Sequence, residues 1–189
     1  MDRKHALAVI LSVIVLIVVG KWWRGRIRPI NYTLLEEKKG LIAELADTII
    51  PRTHSPGAKD ANVAVFIVEM VRRGISLQEA RTFMRGLDAI ETYCNSHFRK
   101  GFVACGVDER IRVLRHFEAN DRWPDTGVLR KIRNKLEVRP FFSLLRELTV
   151  VGYCTSEVGC TQALVYDYIP EYYLPCVTLE VGQRAWATA

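Results

Sequence analysis

Residues 41–71 read LIAELADTIIPRTHSPGAKDANVAVFIVEMV, which predicts two amphipathic helices joined by a stiff loop. Before the loop, leucine and isoleucine recur at three- and four-residue steps, as on one buried face of a helix. Pro51 ends that helix. Pro51 and Pro56 each fix the backbone angle φ, and Gly57 can adopt a left-handed backbone conformation. These three residues therefore predict a rigid structural corner, in which Gly57 is expected to adopt a special backbone conformation.

Helix signals continue on both sides of this corner. Upstream, Thr33 and Glu36 have the spacing of a capping box at the start of the first helix. Downstream, the apolar pattern predicts a second helix that starts at Ala58 or Lys59 and stops at Gly74. The corner is thus predicted to lie between two buried helix faces.

The rest of the chain also has helical rather than strand-like spacing. Ser76 and Glu79 form a second capping box, which opens a helix of about 22 residues. Asp108 has the position of a helix cap, residues 126–136 have helical spacing, and Pro140 suits the first position of a further helix. The predicted fold class is all-α, with an N-terminal transmembrane or signal-anchor helix, an irregular bundle of about six helices and an extended C-terminal arm.

Two blocks of the sequence carry a family resemblance. The first has the pattern LADxIIPxTxxPGA, followed by A, V, FI and MV, between residues 45 and 71. The second reads FFSLLRELTVVGYCTSEVG at 141–159, followed by YDYIPEYYLPCV and GQRAWA between 166 and 187. Together they resemble the gluconate 2-dehydrogenase subunit 3 family, the small subunit of membrane-bound, flavin-dependent sugar dehydrogenases.

This resemblance implies a noncatalytic small subunit that binds a large flavoprotein dehydrogenase subunit. Its implied role is to support folding, export or membrane attachment of that partner. FAD is expected in the partner subunit, with no cofactor bound by this chain. The resemblance also implies a cytochrome c subunit in the complex. This chain is not that subunit, because it has no CxxCH motif for covalent haem.

The N-terminus holds an apolar run, residues 6–20, whose only polar side chain is Ser12. Its length lies between a signal-peptide apolar region and a membrane span of about 20 residues. Trp22 and Trp23 suit a membrane interface, and no small-x-small cleavage motif ends the run, so residues 1–28 are expected to be retained as an inner-membrane anchor. Cleavage is the alternative. Basic residues flank the run on both sides and leave its orientation open, so the periplasmic location rests on the resemblance alone.

Composition predicts one globular domain beyond this segment. The chain has 189 residues, of which 49% are hydrophobic, enough for a single domain with a substantial core. We assign residues 29–154 to a helical bundle and residues 155–189 to an irregular arm. The net charge of +6 does not predict a nucleic-acid partner, because arginine and lysine are scattered among acidic residues and are densest beside the apolar N-terminus.

The arm has no helical periodicity but is rich in aromatic residues, which argues against disorder. Such side chains dominate protein interfaces, so we expect the arm to be the main contact with the flavoprotein. The predicted partner-binding residues are Tyr166, Tyr168, Tyr172, Tyr173 and Trp186. The alternative is that the arm folds back and completes the core of the bundle.

Five cysteines are present, without a CxxC pair. In an oxidising compartment the arm can close a loop by bridging Cys160 to Cys176 or Cys154 to Cys160. The two others, Cys94 and Cys105, are interpreted as buried thiols.

An alternative function starts from the corner. His54 lies there between two acidic residues, Asp47 and Asp60, so the alternative is a membrane-tethered helical enzyme with a metal site at this corner. The chain has no GxGxxG, GxxxxGK[ST], GxSxG or HExxH motif. No catalytic, cofactor-binding or metal-binding residue is therefore assigned.

Overall fold

Residues 31–121, 139–169, 176, 178 and 181–187 are described by the structure, a computed structural model. Across these residues the secondary structure is helical, with a single isolated β-bridge between Val165 and Trp186. The predicted all-α class is confirmed.

Six α-helices lie in the described part of the chain. They are α1 (Tyr32–Glu37), α2 (Lys39–Ile49), α3 (Val63–Glu69), α4 (Leu77–Phe98), α5 (Val107–Asp121) and α6 (Phe141–Cys154). Helix α3 continues as a π-helical turn (Met70–Gly74), a 3₁₀ turn (Phe102–Ala104) separates α4 from α5, and a second π-helical turn (Gly159–Ala163) follows α6.

Helix α6 lies at the centre of the bundle and packs against α2, α3, α4 and α5. Its sequence explains this position, because apolar residues cover most of its circumference, as in a helix that is buried on several sides. The buried residues of α6 are Phe141, Phe142, Leu144, Leu145, Leu148, Thr149, Gly152 and Tyr153. The bundle is therefore organised around α6, although the sequence pattern at 41–71 gives the stronger local signal.

Two glycines inside helices allow aromatic rings to approach the backbone closely. Gly86 of α4 is buried against the ring of Phe141, and Gly152 of α6 is buried against the ring of Phe66. A methyl group at either position would overlap the ring. These glycines lower helix propensity, but they bring α6 into contact with its neighbours.

The start of α6 is capped by a residue from another helix. Pro140 is the residue before α6, with φ −60° and ψ 154°, so the helix begins one residue later than the sequence predicts. Proline has no side-chain acceptor. The Asp121 carboxylate at the end of α5 instead accepts the backbone N–H groups of Phe142 at 2.7 Å and Ser143 at 3.2 Å. Burial raises the pKa of Asp121 despite these two hydrogen bonds.

The start of α4 matches the sequence prediction. Ser76 Oγ accepts the N–H of Glu79, and the Glu79 carboxylate accepts the N–H of Ser76, so both halves of the capping box are present. The helix has the predicted 22 residues. Glu79 also accepts a 2.6 Å hydrogen bond from Arg139, whose other contact is with Glu147 of α6. This arginine therefore joins the start of α4 to α6.

Two predicted helix starts are wrong. Thr33 lies inside α1, which begins at Tyr32, so it is not the cap residue, and the Glu36 carboxylate pairs with Arg72 at 2.6 Å. Asp108 lies inside α5, and the N–H of Gly106 is bound by Glu109 Oε2 at 2.8 Å. In both cases the sequence offers several acidic or hydroxyl residues near the helix start. Local spacing alone does not show which of these side chains binds the free backbone N–H groups there.

Two predicted helical segments fall outside the described residues. They are the anchor at 1–28 and the helix at 126–136, and both stay predictions. Within the described residues, no helix has the length and hydropathy required to cross a membrane.

Candidate partner-binding surface

The corner between α2 and α3 is held by backbone hydrogen bonds. The N–H of Ala58 donates to the carbonyl of Ile50 at 2.9 Å, which closes the loop at its base. The N–H of Gly57 donates to Asp60 Oδ2 at 2.9 Å. Ala58 is fully buried, whereas the loop residues 51–54 are exposed. The corner is thus a fixed loop that presents its tip to solvent.

Gly57 is required for space and not for a left-handed backbone. Its φ is not among the positive values, and the left-handed residue of this segment is Asn62, with φ 52°. A Cβ at Gly57 would lie 2.7 Å from the backbone nitrogen of Arg52 and 3.1 Å from the carbonyl oxygen of Ile50. The prediction of a special conformation at Gly57 is therefore wrong, and close packing of the loop is the reason for glycine.

The second helix starts later than predicted. Residues 58–62 form turns, and α3 begins at Val63 rather than at Ala58 or Lys59. The carboxylate of Asp60 is directed back to Gly57, and the left-handed Asn62 changes the chain direction before the helix starts. This turn lengthens the corner by about one helical turn relative to the prediction.

The corner is tied to the C-terminal end of α6. The Tyr153 hydroxyl donates to the carbonyl of Pro56 at 2.5 Å, across 97 residues of sequence. Burial raises the pKa of Tyr153, so the hydroxyl stays protonated and keeps its role as donor. The arm leaves α6 directly after Cys154. The corner and the base of the arm therefore lie at the same end of α6.

Charged side chains stabilise the helix that leads into the corner. Glu44 of α2 accepts hydrogen bonds from Lys59 at 2.5 Å and from Arg110 of α5 at 2.6 Å. The hydrogen bond from Lys59 lowers the pKa of Glu44. Burial opposes this effect, but the hydrogen bond from Arg110 adds to it, so the pKa is lowered overall. Glu44 is therefore ionised at neutral pH and links the corner to α5.

The arm is not a free tail within its described residues. Its N-terminal part forms the π-helical turn, where the sequence predicts irregular chain. Val165 then pairs in parallel with residues 185–187, since its N–H donates to the Ala185 carbonyl at 2.9 Å and its carbonyl accepts the Ala187 N–H at 2.8 Å. Arg184 adds a 2.9 Å hydrogen bond to the carbonyl of Gln162. These hydrogen bonds close the part of the arm between Val165 and Ala187 into a loop.

Large apolar side chains of this loop point into solvent. Tyr168 is 81% exposed, Ile169 68%, Trp186 56% and Tyr166 45%. The core residues of the described chain end at Tyr153, so these four side chains do not complete the core of the bundle. Ile169 is not among the predicted residues, because the aromatic content of the arm singles out only tyrosine and tryptophan. Tyr172 and Tyr173 lie outside the described residues, and their role stays a prediction.

A comparison with protein-family models decides the relationship. The model described as gluconate 2-dehydrogenase subunit 3 matches residues 36–170, well over half of the chain. The chain belongs to the gluconate 2-dehydrogenase subunit 3 family. Searches of the curated proteins and of the solved structures find no match. The family match includes the corner, all of the bundle from α2 to α6 and the start of the arm, and Trp186 lies beyond it.

The corner residues weighed for a metal site in this member of the subunit 3 family do not lie together as a ligand group. Among the described residues, which include Asp47, His54 and Asp60, no group of three His, Cys, Asp or Glu side chains is placed to hold a metal ion. His54 is exposed, and Asp60 accepts the Gly57 N–H and pairs with Arg52 at 3.5 Å. The alternative of a metal enzyme therefore has no support from the geometry of the corner.

A shallow cavity of about 220 Å³ opens between α2, α5 and α6. It is lined by apolar residues such as Ile49 and Phe142 and by the charged Arg115 and Arg146. Pockets for small molecules usually enclose about 300 to 1,000 Å³, so this cavity is not assigned to a flavin. The expectation that FAD is bound by the partner subunit stays a prediction.

The predicted bridge in the arm is not formed in this structure, where Cys160 and Cys176 are free thiols. Cys160 is half-buried and directs its thiol to the carbonyl of Cys154 at 2.9 Å, whereas Cys176 is exposed. The pairing of Cys160 with Cys176, or of Cys154 with Cys160, stays a prediction.

Proposed function

We propose that this chain is a noncatalytic small subunit that binds a flavin-dependent sugar or sugar-acid dehydrogenase. Membership of the subunit 3 family supports an accessory role in a gluconate dehydrogenase complex. The observation that carries the proposal is the group of exposed apolar side chains on the closed C-terminal loop, residues 165–187. Aromatic side chains on a fixed backbone lose little conformational entropy on binding, and they are enriched among binding hot spots.

The exposed tip of the corner is a second candidate contact. The loop residues 51–54 are exposed, and Tyr153 fixes the corner to the end of α6 from which the arm departs. A large partner that contacts the arm is therefore in reach of the corner as well. We propose that the flavoprotein subunit contacts both, with the arm as the principal contact.

Two alanine variants test the arm. Tyr168→Ala and Trp186→Ala remove exposed side chains, and the pairing of Val165 with residues 185–187 survives because all of its hydrogen bonds are between backbone atoms. Each variant is expected to reduce recovery of the flavoprotein at least ~10-fold in affinity purification of the tagged chain. The readout is flavin absorbance in the eluate.

A matched control removes an exposed apolar side chain elsewhere. Val107, at the start of α5, is 71% exposed, and Val107→Ala is expected to leave flavoprotein recovery unchanged. Equal recovery with Trp186→Ala, Tyr168→Ala and the wild type would show that the arm is a bystander. Loss of folding in either arm variant, measured by thermal unfolding, would show that the arm belongs to the core.

We further propose that residues 1–28 anchor the chain in the inner membrane, with the bundle on the periplasmic side and a cytochrome c as a further partner. The apolar run at 6–20 and the adjacent tryptophans support the anchor. Intact-mass measurement of the protein in the membrane fraction is expected to give the full chain. A mature chain that begins beyond residue 20 would contradict retention.

A further inference from the structure

The cavity between α2, α5 and α6 has walls that are tied to one another. Helix α2 is joined to α5 by the ion pair of Glu44 with Arg110 at 2.6 Å. Helix α5 is joined to α6 by the Asp121 carboxylate, which accepts the backbone N–H of Phe142 at 2.7 Å. Helix α2 also packs against α6. Because contacts between helices hold all three walls, the cavity is formed before a ligand binds, and binding does not have to open it.

Four apolar side chains line the cavity. Leu114 and Phe142 are buried, whereas Ile49 and Ile111 are half-buried and face the open space. The volume is about 220 Å³. An apolar cavity of about 150 Å³ holds benzene, with six carbon atoms, so the space here suits an apolar group of about eight carbon atoms.

Two exposed arginines give the cavity a positive rim. Arg115 of α5 and Arg146 of α6 line it, and within the described part of the chain no hydrogen bond or ion pair reaches either guanidinium group. Glu118 is the third charged residue of the lining, so one positive charge is left in excess. The hydroxyl of Thr48 donates to the Glu44 carbonyl inside α2 at 2.7 Å. The described lining therefore favours a monoanion as ligand.

We propose that this cavity binds a small fatty-acid-type carboxylate of about eight carbon atoms. The alkyl chain lies against the apolar lining, and the carboxylate accepts hydrogen bonds from Arg115 and Arg146, whose planar guanidinium groups match its geometry. A sugar acid has the same charge but carries hydroxyl groups along its length, which lose their hydrogen bonds to water against an apolar wall. The proposal does not depend on a flavoprotein partner, because the ligand contacts this chain alone.

The test is a titration of octanoate into the full chain, kept in a detergent with an uncharged head group and labelled with carbon-13 at the isoleucine methyl groups. We expect saturable shifts of the methyl resonances of Ile49 and Ile111. Ile67 and Ile90 are fully buried and do not line the cavity, so their resonances are expected to stay unchanged. Gluconate has the charge without the alkyl chain, and octanol has the chain without the charge. Each is expected to bind at least ~10-fold more weakly than octanoate.

Two variants test the positive rim. Arg115→Gln and Arg146→Gln are each expected to weaken octanoate binding at least ~5-fold, because each removes a charge-assisted hydrogen bond to the carboxylate. Arg112→Gln is the matched control, since Arg112 is an exposed arginine of the same helix that stacks on Phe98 and does not line the cavity. Its octanoate affinity is expected to equal that of the wild type. All three positions are exposed, so thermal unfolding is expected to show folded variants.

Four results would overturn the proposal. They are the absence of saturable shifts at Ile49 and Ile111, equal shifts at all four isoleucines, octanol or gluconate binding as tight as that of octanoate, and equal weakening by Arg112→Gln and the two rim variants. The comparison of the three ligands uses the wild-type chain, so it decides the proposal even where a variant fails to fold.

Discussion

Replacement of Gly57 by alanine tests the packing of the corner. The added Cβ would lie 2.7 Å from the Arg52 backbone nitrogen and 3.1 Å from the Ile50 carbonyl oxygen, so the loop must open to accept it. Overpacking of this kind costs about 1 to 3 kcal/mol. Opening also disturbs the Ala58 to Ile50 hydrogen bond, which contributes about 1 kcal/mol. Together these effects lower the free energy of unfolding by about 2 to 4 kcal/mol.

The assay is thermal unfolding followed by circular dichroism. For a chain of this size the loss corresponds to a fall in Tm on the order of 5 to 15 °C. Gly40→Ala is the matched control, because a Cβ at Gly40 in α2 meets nothing within 4 Å. Gly40 lies in the first turn of α2, where this substitution is expected to leave the stability unchanged or to raise it by up to about 1 kcal/mol. A Gly57→Ala variant that is as stable as the wild type would refute the steric account of the corner.

Two further substitutions address contacts that join distant parts of the chain. Tyr153→Phe removes the hydrogen bond to the Pro56 carbonyl and is expected to lower the free energy of unfolding, measured in urea, by about 1 to 2 kcal/mol. Tyr93→Phe on α4 is the control. Equal effects of the two substitutions would show that the link from Tyr153 to the corner does not stabilise the fold. Burial alone would raise the pKa of Glu79, but the hydrogen bonds from Arg139 and Ser76 outweigh it and lower the pKa. Stability from Glu79 is therefore lost as the pH falls below about 4.3, where the unfolded state binds more protons. Glu79→Gln is expected to be about 1 to 3 kcal/mol less stable at pH 7 and to lose less stability on acidification, and an unchanged pH profile would contradict this assignment.

Local signals were sufficient where the stabilising contacts are themselves local. The capping box of Ser76 and Glu79 joins residues three positions apart, and the amphipathic pattern after it continues without interruption to Phe98. The end of α2 before Pro51 was predictable for the same reason, since proline stops a helix through its own geometry. The all-α class followed from such patterns.

Contacts between distant residues were not predictable from one sequence. The turn at 58–62 consists of residues that suit a helix, such as Ala58 and Lys59, but Asp60 binds Gly57 and delays the helix. The capping of α6 by Asp121 depends on how α5 packs against it. The pairing of Val165 with residues 185–187 joins positions about 20 residues apart, and no periodic pattern marks such a bridge.

The candidate surface was predicted in part. The aromatic residues of the arm were found from composition, and those within the described chain are exposed. Composition does not show that the arm closes on itself or that Tyr153 brings its base beside the corner. These facts depend on the tertiary structure, which places residues from three separate segments at one end of α6.

The most direct test of the account is purification of the tagged full chain from its native cells after detergent extraction. We predict that it elutes with a larger chain in a fixed ratio, that flavin absorbance belongs to that chain, and that sugar or sugar-acid oxidation is found in the complex and not in the separated small subunit. Elution of the small subunit alone, without flavin absorbance, or oxidation by the separated small subunit, would contradict the account.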